Sequence, residues 1–289
     1  MDAIASTRHP LFRTAIKLRT ETKSLLRKLL SATALGRPLL ASYRRVAHER
    51  RKRTLRAQEL KTTFTRYALE NTWGDSESLS GAGSSLAATR SLRAALPGLI
   101  SKLGVRTMLD APCGDFNWFQ HVELPEGVTY IGADVVDELV DANRRKYGNG
   151  TCSFRSLDIT SDELPRADLW LCRDVLFHFS ERDIFRTLER FANSDIEYIL
   201  TSCHTQADSN LDIPTGDFRL LNLRLAPFNF PEPEAWIDDW IRGYPVRRMG
   251  LWRRAAVVAA VAEVLRSGSV ARHEPPARYE DTPAASASV

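Results

Sequence analysis

Two short apolar runs, each closing on a carboxylate, limit what this chain can fold into. The first covers Val105 to Asp110 and breaks at once into Pro112, Gly114 and Asp115; the second covers Val128 to Asp134. Continuous apolar runs bounded by turn residues are how strands buried on both faces read, and such strands belong to parallel sheets. A helical pattern from Asp137 to Tyr147 follows the second run and stops at Gly148, a common C-terminal stop. Further runs at Thr151 to Asp158, Ala167 to Asp174 and Ile196 to Cys203 continue the alternation. Between the last two, Ser180 with Asp183 forms a capping-box-like start to a helix through Phe191. After Gly216 the pattern changes, and Asp217 to Leu223 and Arg248 to Arg253 are expected as closing antiparallel strands. Strands alternating with helices specify an α/β fold. The expectation is a Rossmann-like, seven-stranded, mostly parallel sheet with helices on both faces, over residues 59–266.

Ligands of such sheets sit beyond the carboxyl ends of the strands, and an acid about 20 positions after the glycine turn takes ribose hydroxyls. Asp134 stands there relative to Gly114. A dinucleotide site needs three spaced glycines so that amides can approach a pyrophosphate. This turn has one, and Asp115 beside it repels phosphate while suiting a helix start. The pocket therefore suits a phosphate-free nucleoside that carries positive charge, a description S-adenosylmethionine meets with its sulfonium, ammonium and ribose diol.

Leu109-Asp-Ala-Pro-Cys-Gly-Asp115, Gly132-Ala-Asp134 and Leu157-Asp158 resemble, as an ordered set, the first three cofactor motifs of the class I S-adenosylmethionine-dependent methyltransferases. The resemblance covers about residues 60–255, with Pro-Cys where the family usually has more glycine. It implies S-adenosylmethionine as cofactor, held around Asp110, Ala111, Gly114, Asp134 and Arg173. It also implies that Asp158 accepts from the adenine amino group while Ile159 covers the ring. From spacing alone, Asp158 serves equally well as a turn cap through Thr160.

Methyl transfer is an in-line displacement, so the protein must align the acceptor and, for a hydroxyl, take its proton. Asp174, His178 and His204 are the candidate bases just past strands four and five. His178 leads, because imidazole titrates near neutrality. Trp73, Gly83 and Ser84, around a Gly/Ser segment before the first strand, are candidates to touch cofactor or acceptor; the alternative is a plain linker. Phe228 and Phe230, with Asn222, offer a stacking platform and hydrogen bonds; the alternative is a packed flap. No carboxylate and histidine cluster has metal-ligand spacing. The four cysteines show no CxxC pattern and read as small buried hydrophobes in a reducing compartment. Arg173-Asp-Val-Leu-Phe177 stands where amino-methylating nucleic-acid enzymes of the resembled class carry an Asn/Asp-Pro-Pro-aromatic box. The expected activity is O-methylation of a small molecule or glycan. The rivals are an RNA-directed methyltransferase and a non-catalytic scaffold of the same fold.

The net charge of +4 hides an asymmetry. Residues 1 to 60 hold 15 Lys and Arg against 4 Asp and Glu, which leaves −7 for the rest. Residues 1–58 are expected as a basic helical extension with Leu25, Leu26, Leu29 and Leu30 at helical spacing. It either makes weak contact with an anionic membrane surface or nucleic acid, or is solvated and partly disordered; a transit peptide is a third reading. No signal sequence or transmembrane run is apparent, so a cytoplasmic protein is expected, or one peripheral at the membrane. Residues 267–289, polar and proline-bearing, are expected to be disordered.

Overall fold

The computed structural model describes residues 36–266, so the leucines at 25–30 and the tail beyond 266 lie outside it. The described residues form seven strands: β1 (Thr107–Asp110), β2 (Thr129–Asp134), β3 (Cys152–Ser156), β4 (Leu169–Cys172), β5 (Tyr198–Cys203), β6 (Ala235–Asp238) and β7 (Arg248–Arg253). Their order across the sheet is β3-β2-β1-β4-β5-β7-β6. β1 to β5 are parallel, and β7 runs antiparallel to both β5 and β6. The chain turns one way from β1 to reach β2 and β3 and the other way to reach β4 and β5. A crevice opens at that reversal, beyond the strand tips.

Alternation along each central strand sends neighbouring side chains to opposite faces. Met108 and Leu169 pack with Leu92, Leu96 and Ile100 of α3 (Arg90–Leu103). Leu109 and Trp170 pack on the other face with Ile184, Leu188 and Phe191 of α5 (Glu181–Ala192) and with Val257 of α6 (Arg254–Arg266). α4 (Asp137–Tyr147) links β2 to β3. The Ser180 cap forms as read, its hydroxyl accepting from Asp183 N–H at 3.2 Å. Before the sheet come α1 (Gly36–Ala57), which carries the basic run, and α2 (Leu60–Leu69). No helix among the described residues is long and apolar enough to cross a membrane.

Two local expectations are corrected. Asp217 to Leu223 is not a strand, because the free edge of β5 is taken by β7 over six residue pairs. That segment instead lies beside the loops after β4 and β5, held by single bonds such as Arg219 N–H to Phe177 O and His204 N–H to Leu221 O. The sixth strand comes from Ala235–Asp238. Likewise, the helix start that Asp115 suits by sequence yields only one 3₁₀ turn, Phe119–His121. Asp115 does not cap a helix there; its carboxylate turns back to the 78–80 loop.

β2 tolerates no side chain at Gly132, where a Cβ would lie 2.6 Å from Phe154 Cδ1 and 2.9 Å from Tyr130 Cε1. Gly132→Ala is expected to lower unfolding free energy by about 1–3 kcal/mol through overpacking, read as a lower urea midpoint at unchanged slope.

Candidate active site

A cavity of about 390 Å³ opens at the carboxyl ends of β1, β2 and β4, roofed by the Gly/Ser segment and by α2. That volume lies within the range of ordinary ligand sites, ~300–1,000 Å³. Asp115 builds the roof. Its carboxylate accepts from Ser78 Oγ at 2.9 Å, Leu79 N–H at 2.8 Å and Ser80 Oγ at 3.4 Å, which draws residues 78–84 across the tip of β1. Gly114, at φ +57°, is needed beneath it, because a Cβ would run into Ser80 Oγ. Gly81, Gly83 and Ser84 then line the cavity, as does Trp73.

Two carboxylates on the cavity wall have no protein cation paired with them among the described residues. Asp110 ends β1, is buried, and accepts from Tyr130 Oη at 2.7 Å. Burial pushes its carboxyl up to about 7, with Tyr130 and then Arg173 pulling back. Asp134 ends β2 and accepts from Val136 N–H and Gly114 N–H, both at 3.0 Å. Burial raises it to about 6 despite those amides. The Gly114 amide is thus committed to a carboxylate and is not displayed to a phosphate.

Two other carboxylates are fully neutralised. Asp239, just after β6, takes Arg173 Nε at 2.9 Å and Nη2 at 3.1 Å, and Arg247 Nε at 3.1 Å. Asp174 takes Arg247 Nη1 at 2.7 Å and Arg173 Nη1 at 3.3 Å on one oxygen and Ser202 Oγ at 2.8 Å on the other. Its backbone is left-handed, at φ +57°. Burial pushes the Asp174 carboxyl up, but Arg173 and Arg247 outweigh it and hold the group below its ordinary value. A carboxylate so stabilised is a weak base. Arg173 Nη2 also donates to Gly83 O at 2.7 Å, tying the roof to the network.

The two histidines are held in opposite tautomers. His178 Nδ1 lies 2.7 Å from Asp217 O; a carbonyl only accepts, so the proton is on Nδ1 and Nε2 keeps its lone pair. His204 Nδ1 accepts Leu221 N–H at 3.2 Å, so its proton is on Nε2. Both residues line the cavity, and neither Nε2 has a hydrogen-bond partner among the described residues. Burial lowers both imidazoles, His204 to about 4, so both are neutral at pH 7. Phe177 and Phe218 lie against both rings.

Of the residues singled out from sequence, the cavity wall includes Trp73, Gly83, Ser84, Asp110, Gly114, Asp134, Ile159, Arg173, Asp174, His178 and His204. Ala111 is buried behind it, in the core that holds Trp170. Asp158 lies off the wall, its Oδ1 accepting from the Thr160 amide at 2.8 Å and hydroxyl at 2.7 Å, the turn-cap arrangement. The platform of Phe228, Phe230 and Asn222 is corrected: all three are buried away from the cavity. Phe228 packs on Phe185, Phe230 packs on Trp252, and the Asn222 amide donates to Ala207 O. Residues that sequence reasoning missed supply the aromatic and cationic wall instead: Phe218, Tyr244 and Arg247, with Asp239 and Ser202 behind them.

No protein-family model matches the chain, and no curated protein matches its sequence. Several solved structures are similar to part of it. Magnesium protoporphyrin IX methyltransferase from Synechocystis PCC 6803 with bound SAM is 14% identical, with a TM-score of 0.46, over 68% of this chain and 98% of that one. N-methyltransferase NodS from Bradyrhizobium japonicum WM9 is 11% identical, with a TM-score of 0.45, over 58% and 96%. The mitomycin 7-O-methyltransferase MmcR is 17% identical, with a TM-score of 0.44, over 58% of this chain and 54% of its own. The strand order and the antiparallel β7 make this a Rossmann-like, seven-stranded mixed α/β sheet.

The two raised carboxyls make a stability prediction. In the unfolded chain Asp110 ionises in the ordinary carboxylate range, whereas folded it keeps its proton to about 7. The folded state therefore binds more protons between those values, and stability falls as pH rises through that window. Asp110→Asn is expected to flatten the slope and to stabilise the ligand-free protein at pH 8 by on the order of a few kcal/mol. Urea titrations at pH 5 and pH 8 test this; equal slopes in variant and parent would refute it.

Proposed function

We propose that the protein is an S-adenosylmethionine-dependent methyltransferase acting on a hydroxyl of a small molecule or saccharide. The observation that carries this reading is the pair of unneutralised carboxylates, Asp110 and Asp134, buried on the wall of a strand-tip cavity whose glycine turn offers no amide to a phosphate. Uncompensated carboxylates in an apolar site favour a cationic ligand. The free lone pairs of Asp134 suit ribose hydroxyls, Asp110 suits an ammonium, and Val135, Leu157 and Ile159 give an apolar slot for a purine.

The cofactor, when bound, supplies a methyl group on a sulfonium with a neutral thioether as leaving group. The chain's own residues do the rest. His178 Nε2, the lone pair left free in the cavity, receives the proton of the acceptor hydroxyl. His204, neutral with its proton on Nε2, donates to the acceptor and orients it. It does not act as base, because its Nδ1 is occupied by Leu221 N–H. Asp174 is left a structural part, since Arg173, Arg247 and Ser202 saturate it. Because the guanidinium groups of Arg173 and Arg247 are themselves matched by Asp174 and Asp239, the acceptor end is nearly neutral. Its aromatic side chains, Trp73, Phe177, Phe218 and Tyr244, suit an uncharged planar compound or sugar face.

A specific observation favours the RNA-directed alternative: Arg45, Arg50 and Arg53 of α1 are exposed along one helix. RNA binding with a steep salt dependence that disappears on removal of residues 1–57 would replace the small-molecule reading.

Calorimetry is expected to give heat with S-adenosylmethionine and its demethylated product, with affinity rising up to about tenfold per pH unit below pH 7 and levelling above as Asp110 ionises. Asp134→Ala should abolish that heat. No heat with either compound on folded protein would end the proposal. With labelled methyl donor and fractionated cell extract as the acceptor source, His178→Gln is expected to lose about 10²–10⁴ in turnover at unchanged cofactor affinity. A loss of less than a few-fold would remove His178 as the base.

A further inference from the structure

α1 has no part in the chemistry proposed above, yet it reaches the turn on which His178 depends. That turn is attached to His178 twice. Asp217 O accepts from Nδ1, and Gly216 N–H donates to His178 O at 2.7 Å. On its other side the turn is gripped by two helices. Gly216 O accepts from Tyr67 Oη of α2 at 2.9 Å and from Arg51 Nη2 of α1 at 3.3 Å. Arg51 also donates to Tyr67 Oη at 3.3 Å and lies 3.9 Å from Asp217 Oδ1. The fit leaves no slack. Gly216 sits at φ +94°, and a Cβ on it would meet Thr63 Cγ2 at 2.6 Å and Leu55 Cδ2 at 3.1 Å. Leu55, on α1, is 3% exposed, so the last turns of the basic helix are docked and not merely solvated.

Which imidazole nitrogen carries the proton is decided by the hydrogen bond the other one makes. The net preference a single bond of that kind supplies is modest, so a small displacement of Asp217 O would redistribute the proton between Nδ1 and Nε2. A proton on Nε2 removes the base. We propose that Arg51 and Tyr67 are positioning residues: they hold the Gly216-Asp217 turn so that Asp217 O keeps the His178 proton on Nδ1 and leaves Nε2 free. The inference rests on His178 being the base. It gives the C-terminal end of the basic extension a place in the catalytic assembly.

The groups facing His178 are Arg51 from α1, Asp174 from beyond β4, His204 from beyond β5 and Asp217 from the turn, and burial is the main influence on its ionisation. The test is imidazole ¹⁵N spectroscopy on the labelled full chain, with the His178 signals identified by their loss in His178→Gln. The parent protein is expected to show Nδ1 protonated and Nε2 bare. In the double variant Arg51→Ala/Tyr67→Phe the Nε2-protonated form should appear, with S-adenosylmethionine heat and thermal melting showing the fold intact. Should the double variant fail to fold, Arg51→Ala alone, at a half-exposed side chain, is expected to show the Nε2-protonated form of His178 as a smaller fraction. Unchanged ¹⁵N signals in the double variant, or in Arg51→Ala where that stands alone, overturn the proposal while leaving His178 as base. An Nε2-protonated parent overturns both.

Discussion

Burying charge at the tips of parallel strands is the constraint around which this structure is arranged. Four carboxylates lie on or just behind the cavity wall, and the chain treats them in two ways. Asp174 and Asp239 are matched by Arg173 and Arg247 in a closed network of two cations and two anions. Asp110 and Asp134 are left with a phenol and backbone amides as partners. A buried ion is costly unless it is paired, and a group without a pair retains its proton instead. The division therefore separates the cavity into an end that is electrostatically complete and an end whose carboxylates have no cation beside them among the described residues. The roof depends on the same division. Arg173 holds Gly83 O, and Asp115 holds the residues before it, so the Gly/Ser segment is pinned from both the complete end and the turn of β1.

What the sequence made legible was whatever is local. Asp110, Gly114 and Asp134 sit at strand ends that a run of apolar residues announces, and the Ser180 cap is written within four positions. Arg247 and Asp239 carry no such announcement. Asp239 meets Arg173 across 66 residues, and only the placing of β6 and β7 beyond β5 brings them together. Asp217 to Leu223 misled for a physical reason. Phe218 and Leu220 are partly exposed while Arg219 and Leu221 are buried, so the segment has a strand's alternation without a strand's partner. The guanidinium of Arg219 is turned inward to bond Leu211 O and Phe179 O, a service to loop carbonyls that no periodicity describes. Aromatic density around Phe228 and Phe230 was equally ambiguous, since a stacking surface and a packed flap use the same residues. Burial against Phe185 and Trp252 decides for packing.

The histidines show how far residue type falls short of role. His178 and His204 both follow strand tips and both touch Phe177, and burial lowers both. Their difference comes entirely from the backbone atom each Nδ1 meets, a carbonyl for one and an amide for the other. Those atoms belong to the segment from Asp217 to Leu221, which crosses beneath both rings. One extended stretch thus assigns an acceptor and a donor to the same cavity, a division that a strand paired into the sheet could not have made, because its amides and carbonyls would be spent on the ladder.

The docking of α1 follows the same logic. Most of the helix is exposed and strongly basic, and composition alone describes it as a segment for anionic surfaces or for solvent. Its last turns behave differently. Leu55 enters the gap over Gly216, and Arg51 Nη2 alone reaches a carbonyl, a phenol and a carboxylate of one neighbourhood. The basic run is therefore not uniform in function along its length. The exposed turns retain whatever surface chemistry their charge permits, while the turns nearest the domain are committed to the geometry of the His178 loop.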